Sequence, residues 1–429
     1  MNQLFSSIRW ILLALFLGAG LGLVFPEAAP AISPVSKLML QLIKAAATPL
    51  VFFAVLEAIL RYNVAGGDFL KLFTVVLINA ICAISIGLLA ANIFEPGQYL
   101  TFLAVDMTTA GQMADFSDMI AKQLPVSIVQ PIAENNIMPL VLMAVAFGFA
   151  WRKARAAGGA QTAAMAGAGE AWISFARDIC ETLLIWIVKL IPVAVFAASA
   201  KVTAEHGLEP FKGLGQYVLL CLLGMAVHVL FTYGAWLLFF VRISLRKFWT
   251  YALEPVTYSF GVNSSLVALP LTLRALDKLG VSRRASTLAA VVGTNLNNDG
   301  IILYEGFTLL ALAQAGGIEL SLATQIFAAL YCIIAAMGVA GVPEAGVVAL
   351  TLVLGSLGIS AEALAVLLSV DWILARSRSF LNTTSDLVGS QVLSRWLELS
   401  QEPAQPDDGA QSPVTHTDQA QEGSFSRNR

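Results

Sequence analysis

Long apolar runs recur along the chain at Ile8–Phe25, Leu38–Ile59, Phe73–Phe94, Met138–Trp151, Ile173–Ala200, Tyr217–Val241, Thr287–Leu312 and Leu364–Trp396. A helix needs about 20 predominantly apolar residues to cross the hydrocarbon core of a bilayer, and most of these runs supply them. The pattern predicts an all-α polytopic membrane protein. The fourth run is short, contains Pro139 and is preceded by Pro125 and Pro131, which predicts a broken or multi-segment helix.

Two further segments, Phe248–Gly280 and Ser321–Gly358, are moderately apolar but small and polar at their centres. The first centre reads Gly261-Val262-Asn263-Ser264-Ser265, and the second runs from Gly338 through Val342, Pro343 and Glu344 to Gly346. Irregular backbone at membrane depth must be buried in protein or line a cavity, because lipid offers its N–H and C=O groups no partner. Both segments read as re-entrant hairpins with functional tips, the alternative being ordinary helices kinked by glycine and proline. Interrupted apolar segments of this kind point to the midplane site of a transporter.

Composition sharpens the class. The 429 residues are 58% hydrophobic and 12% charged, with a mean hydropathy of +0.77, too apolar for a soluble globular protein of this length. A formal net charge of −3 provides no basic stripe for phosphates, so nucleic acid is excluded and lipid, ions and a small solute are the expected partners. Cys82, Cys180, Cys221 and Cys332 sit in apolar runs without CxxC spacing, and read as packing residues. The first run has no small-residue cleavage site and is read as a membrane helix, not a removable signal. From Gln401 to Arg429 the chain turns polar, rich in Gln, Ser, Asp and Pro, and is expected to be disordered.

Lysine and arginine set the orientation. With the N-terminus inside, Arg61, Lys71, Arg152, Lys153, Arg155, Arg242, Arg246, Lys247, Arg274, Lys278, Arg283 and Arg284 fall on the cytoplasmic side, against Lys37, Lys122, Lys201 and Lys212 outside. Both termini are expected in the cytoplasm of a bacterial inner membrane.

The candidate chemistry lies in the second half. On a helix, Asp371, Ala375, Arg378, Asn382 and Asp386 stack along one face. Ionisable groups so deep in an apolar protein face its interior or an aqueous cavity. Arg378 is the candidate anion receptor, because its planar fork holds a carboxylate through two parallel bonds; internal pairing with Asp371 or Asp386 is the alternative. Gly293-Thr294-Asn295-Leu296-Asn297-Asn298-Asp299-Gly300 interrupts another apolar run. Its glycines and asparagines favour unwinding that frees carbonyl oxygens, and Asp299 adds a negative charge, a combination suited to a hard cation such as sodium. A helix kink with asparagines bonded to their own backbone is the alternative. Glu305, six residues beyond Asp299, is a candidate proton carrier or else the partner of an arginine. His206, His228 and His416 sit beside no nucleophile and in no metal motif, which argues against an enzyme; His228 reads as a packed helix residue.

These residues resemble the dicarboxylate/amino acid:cation symporter family, which includes archaeal aspartate transporter homologues, bacterial glutamate and C4-dicarboxylate carriers and mammalian excitatory amino acid transporters. Four signatures carry the resemblance in order: NSSLVALPLTLR at the first hairpin tip, Asn297-Asn298-Asp299-Gly300, AGVPEAG at the second tip, and the last helix with Asp371, Arg378, Asn382 and Asp386. The resemblance implies eight spanning helices plus two re-entrant hairpins, a homotrimer, and a scaffold against which a transport domain moves like an elevator. Residues 1–72 would supply scaffold helices 1 and 2, and 73–130 the third helix, of the transport domain, with an external loop. Residues 131–243 would supply scaffold helices 4 and 5 and the sixth helix, again of the transport domain. Residues 244–398 would form the core of that domain, and 399–429 the tail. Ser264, Ser265, Asn298, Val342, Gly346, Asp371, Ala375, Arg378, Ser379 and Asn382 would line the substrate site. Gly293, Asn295, Asn297, Asp299, Asn382 and Asp386 would hold cations, with the second hairpin as lid. No cofactor beyond coupling sodium or protons is implied.

The departures are informative. Amino acid carriers of the family place an aspartate one turn before the receptor arginine to hold the substrate ammonium, whereas this chain has Ala375. That favours C4-dicarboxylates, unless Glu344 replaces the charge from the lid. Asn298 stands where methionine is usual, and Ile301 where a hydroxyl residue is usual. Val76, Asn79 and Ala80 stand where sodium-binding relatives carry tyrosine, threonine and serine. Arg376 and Glu305 resemble the arginine and proton-carrying glutamate of mammalian members, and Asn263 replaces an archaeal arginine. Proton coupling, alone or with sodium, is the expectation. Carriers of neutral amino acids and a passive anion channel of the same fold are the alternatives.

Overall fold

The computed structural model describes residues 2–32, 34–61, 67–100, 127, 129–338, 345–356 and 362–400. The polar tail, the tip of the second hairpin with Val342 and Glu344, and most of the expected external loop, including Lys122, lie outside the described residues. Helices account for nearly all that is described. In chain order the principal ones are α1 (Asn2–Val24), α2 (Pro34–Arg61), α3 (Gly67–Phe94), α4 (Ile137–Ala157), α5 (Ala160–Val188), α6 (Ile191–His206) and α7 (Pro210–Val227). They continue with α8 (Leu245–Val262), α9 (Ser265–Leu279), α10 (Asp299–Ala315), α11 (Leu322–Gly338), α12 (Ala345–Ser356) and α13 (Glu362–Ser400). The chain is a multi-pass membrane protein, and its described residues hold helices and no strands. Among the described residues, three stretches are by themselves long and apolar enough to cross a membrane: Pro26–Leu60, Gly67–Phe94 and Pro210–Val241.

Several boundaries depart from the apolar runs. The run Ile173–Ala200 is not one helix: it divides at Lys189 and Leu190, and the two parts are bent by 41°. Pro192, in the first turn of α6, has no N–H to continue the ladder of α5. At its other end α5 starts at Ala160, because Ala160, Ala163, Ala164, Ala166, Ala168 and Ala171 are strong helix formers that extend it beyond the apolar run. The expected break around Met138–Trp151 falls upstream of the run, at Asn135, whose φ is 54°, and Asn136. Pro139 occupies the first turn of α4, where a missing N–H costs nothing, and α4 continues to Ala157.

The first interrupted segment divides into two helices at its small and polar centre. α8 and α9 pack against each other and are separated only by Asn263 and Ser264. Asn263 ends α8 in the left-handed region (φ 54°), and the Ser264 hydroxyl caps α9 by accepting the Val267 N–H. α11 and α12 form a second packed pair. The run Thr287–Leu312 opens as a π turn (Thr287–Val292) and a 3-10 turn (Gly293–Asn295), leaves regular structure at Leu296–Asn298, and resumes as α10.

α10 lies at the centre, buried on every side from Asp299 to Ala313. It packs on α3, α13, α12 and α11. α3 approaches so closely at Gly87 that a Cβ there would stand 2.5 Å from the Leu303 carbonyl oxygen. α1 lies along α6, while α2 lies along α4 and α5.

Candidate functional site

The site forms where α13 meets the unwound start of α10, the tip between α8 and α9, and the start of α12. On α13, Arg378 donates through Nη1 to Asp371 Oδ1 at 2.7 Å and through Nη2 to Asp371 Oδ2 at 2.9 Å, with both residues buried. The internal pairing that the sequence left open is thus present. Side chains on a helix lean toward its N-terminus, so Arg378 reaches back two turns to Asp371 and not forward to Asp386. Its guanidinium carbon stands 4.2 Å over the Tyr304 ring of α10, a cation–π contact. From α12, Gly346 closes the other side: a Cβ there would lie 2.6 Å from Arg378 Nε. Ala375 is buried one turn before Arg378.

Three links tie this face to its surroundings. The Gly300 N–H donates to Asn382 Oδ1 (2.9 Å), Asn382 Nδ2 donates to Asn298 Oδ1 (3.2 Å), and Asn298 Nδ2 donates to the Ala336 carbonyl of α11 (3.2 Å). Ser379 Oγ donates to Ala375 O (3.2 Å) and to Asn263 Oδ1 at the first tip (3.1 Å). Ser259 Oγ donates to Ser379 O (3.3 Å). Ser264 and Ser265 lie half-buried at that same tip.

Below this face is a wholly buried acidic cage. Asp386 accepts Thr294 Oγ1 at 2.7 Å and Asn297 Nδ2 at 3.1 Å. Asp299 Oδ2 accepts Ser385 Oγ at 2.6 Å and Tyr233 Oη at 2.8 Å, with His228 Nε2 at 3.5 Å. Ser385 Oγ also lies 2.8 Å from Asn297 Oδ1 and accepts Asn79 Nδ2 at 3.3 Å, while Trp236 Nε1 donates to Asn79 Oδ1 at 2.8 Å. Asp299 Oδ1 has no hydrogen-bond partner among the described residues. Neither carboxylate is paired with a lysine or arginine there, so two buried acids share one cage. Oxygen donors around uncompensated carboxylates suit a hard monovalent cation.

Gly293, Asn297, Asp299, Asn382 and Asp386 are thus brought to one region, as is the backbone of Asn295. Thr294, Ser385, Tyr233, Trp236 and His228 were not singled out as cage residues by the sequence. His228 is the buried, packed helix residue the sequence suggests, and it does more than pack: its Nε2 lies 3.5 Å from Asp299 Oδ2 and its Nδ1 3.1 Å from Thr232 Oγ1. The available signal was a histidine, a tyrosine and a tryptophan within one apolar run. Glu305 is fully buried on α10; no nitrogen or oxygen among the described residues bonds either of its carboxyl oxygens, and the Cys332 thiol stands beside it. Among the described residues no arginine hydrogen-bonds to it.

Comparison with known proteins gives the family of the chain. The chain is similar to the C4-dicarboxylate transport protein of Laribacter hongkongensis, 27% identical over 419 residues that cover 92% of this chain and 90% of that protein. It is 25% identical to the proton/sodium-glutamate symport protein of Bacillus caldotenax over 412 residues, covering 91% and 94% of the two chains. The neutral amino acid transporter B(0) of Mus musculus is 29% identical over 294 residues, covering 66% of this chain and 51% of that protein. The model of the sodium:dicarboxylate symporter family matches residues 8–396, nearly the whole described chain, and the protein belongs to that family of transporters.

Proposed function

We propose that the chain is a secondary active symporter that imports C4-dicarboxylates in preference to acidic amino acids, driven by sodium, protons or both. One observation carries this reading: Arg378 is buried on α13, and the position one turn before it, where an ammonium-binding acid would stand, is the equally buried Ala375. Relatives named for C4-dicarboxylate transport and for glutamate symport are consistent with a small acidic solute. In this reading the solute carboxylate docks on Arg378, Ser379 and the backbone of the two tips supply further donors, and Asn382 links the solute face to the cage below. Sodium is held around Asp299 and Asp386 by their carboxylates and by the freed oxygens of the unwound segment, and Glu305 carries a proton.

Cation binding and solute docking are coupled through the Gly300–Asn382–Asn298 hydrogen bonds, which span both regions. A closed and neutralised site crosses the membrane at the lowest cost, because charge is heavily penalised in hydrocarbon. The same reading places eight spans and two re-entrant hairpins in a bacterial inner membrane, with both termini cytoplasmic. It also assigns a homotrimer whose transport domain moves as an elevator, with the α11–α12 tip as lid. The experiment is uptake of labelled succinate, aspartate and glutamate into proteoliposomes under separately imposed sodium and proton gradients. Succinate preference with uphill accumulation is expected, and Arg378→Ala should abolish uptake while assembly persists. Unchanged uptake by that variant refutes the assignment, and absence of uphill accumulation selects a passive channel.

A further inference from the structure

The two oxygens of Asp299 occupy unlike environments, and the residues that make them unlike come largely from the Tyr217–Val241 run, to which the proposed function gives no task. Oδ2 is met by Ser385 of α13 and by Tyr233 and His228. Oδ1, on the same fully buried side chain, meets no donor among the described residues. Tyr233 and His228 belong to the π-helical turn His228–Tyr233. That wider turn brings residues five apart together. Their rings meet edge to face with centroids 4.7 Å apart, so the pair acts as one unit. The unit is itself anchored, through Thr232 on His228 Nδ1 and through the Leu381 carbonyl, 3.4 Å from Tyr233 Oη.

A carboxylate with both oxygens open can turn about its terminal torsion. Donors converging on one oxygen from two different elements fix its plane and direct the other oxygen. A buried acceptor left bare is costly unless a positive group completes it.

The geometry points to Tyr233, with His228, as a positioning residue for the coupling cation: it secures Oδ2 of Asp299 so that Oδ1 is presented to sodium. The inference rests on the symport reading above. Residues that hold a ligating side chain in place tune an ion's affinity without touching it, by about 10–100-fold when removed.

The test is sodium titration of the purified full-length protein without solute, so that an error in substrate assignment leaves it unaffected. Tyr233→Phe keeps the ring against His228 and deletes the hydroxyl; its sodium Kd is expected to rise about 10–100-fold. Its succinate affinity at saturating sodium should match the unsubstituted protein, a separation that a general packing defect would not give. His228→Leu should also weaken sodium binding, whereas His228→Gln, which restores an N–H donor at a similar reach, should recover most of it. Native sodium affinity in both Tyr233→Phe and His228→Leu overturns the inference and leaves the symport reading standing. Succinate uptake by an unsubstituted protein that binds no sodium overturns the inference together with the sodium half of that reading.

Discussion

Gly346→Ala tests the proposed receptor most directly, because the structure gives the size of the disturbance. The added Cβ would stand 2.6 Å from Arg378 Nε, 2.8 Å from Cζ and 3.1 Å from Cδ. Ordinary contact between heavy atoms is about 3.5 Å, so the guanidinium must retreat by roughly 0.9 Å. It is gripped by Asp371 through bonds of 2.7 and 2.9 Å and backed by the Tyr304 ring at 4.2 Å, and a displacement of that size costs at least one of the two bonds. A hydrogen bond to a charged group contributes about 1.5–3 kcal/mol. If the solute carboxylate depends on the same orientation, succinate affinity falls by about 10- to 150-fold.

The fold should survive, because the atoms in the way are the end of a side chain and not backbone. Gly300 makes the contrast: a Cβ there would meet Arg378 O at 2.7 Å and its Cα at 2.8 Å, so Gly300→Ala should unseat α10 from α13. The assay is the succinate concentration dependence of uptake in proteoliposomes, beside thermal unfolding in detergent. Gly389→Ala, on α13 with open space around the new methyl, is the control. Equal KM values for Gly346→Ala and Gly389→Ala, at equal stability, would refute the role given to the Arg378 orientation.

Asp371→Asn removes the charge that accepts both Nη bonds, and breaking one side of a buried ion pair costs about 3–5 kcal/mol. Its apparent Tm should therefore drop, and saturating succinate should recover more of it than in the native protein by supplying a carboxylate; an unchanged Tm would show the pair to be dispensable. Ala375→Asp supplies an ammonium partner next to Arg378, so competition assays should show the aspartate-to-succinate preference rising about tenfold or more. No change in that ratio would mean another group recognises the amine. Glu305→Gln should abolish the stimulation of uptake by an inward proton gradient while gradient-free succinate exchange continues; persistent stimulation would move the proton elsewhere.

What the sequence made legible were interruptions of apolarity. Asn263-Ser264, the Gly293–Gly300 stretch and the polar face of Ser369–Ser390 are visible because polar groups in a lipid-solvated chain need a reason, and each proved to be a helix break or part of the buried network. The choice of Asp371 over Asp386 as partner of Arg378 was not legible from spacing, since both share its face; side-chain lean along the helix decides it. Nor was the bend at Lys189–Leu190, where a hydropathy window passes through a proline turn without a gap. Tyr233 and Trp236 count as apolar in such a window, and only a π-helical register and contacts across 66 and 157 residues reveal what their polar atoms do.

On the proposed reading, the buried charges of α10 and α13 require that dicarboxylate uptake be coupled to a cation. Asp299, Glu305, Asp371 and Asp386 oppose Arg376 and Arg378, so full ionisation leaves an excess of two negative charges. Asp371 already engages Arg378 in a bidentate pair, which makes the proposed receptor close to neutral before any solute arrives. A doubly charged solute therefore deepens the deficit, and the receptor alone cannot offset it. Each uncompensated charge inside a low-dielectric core carries a heavy penalty during translocation. In the proposed reading the positive charge comes from outside the chain, and the acceptors assigned to it are the oxygen of Asp299 that has no partner among the described residues, the carboxylate of Asp386 and, for a proton, Glu305. Loss of any one of these acceptors should change how much charge moves with each solute, not merely how fast it moves.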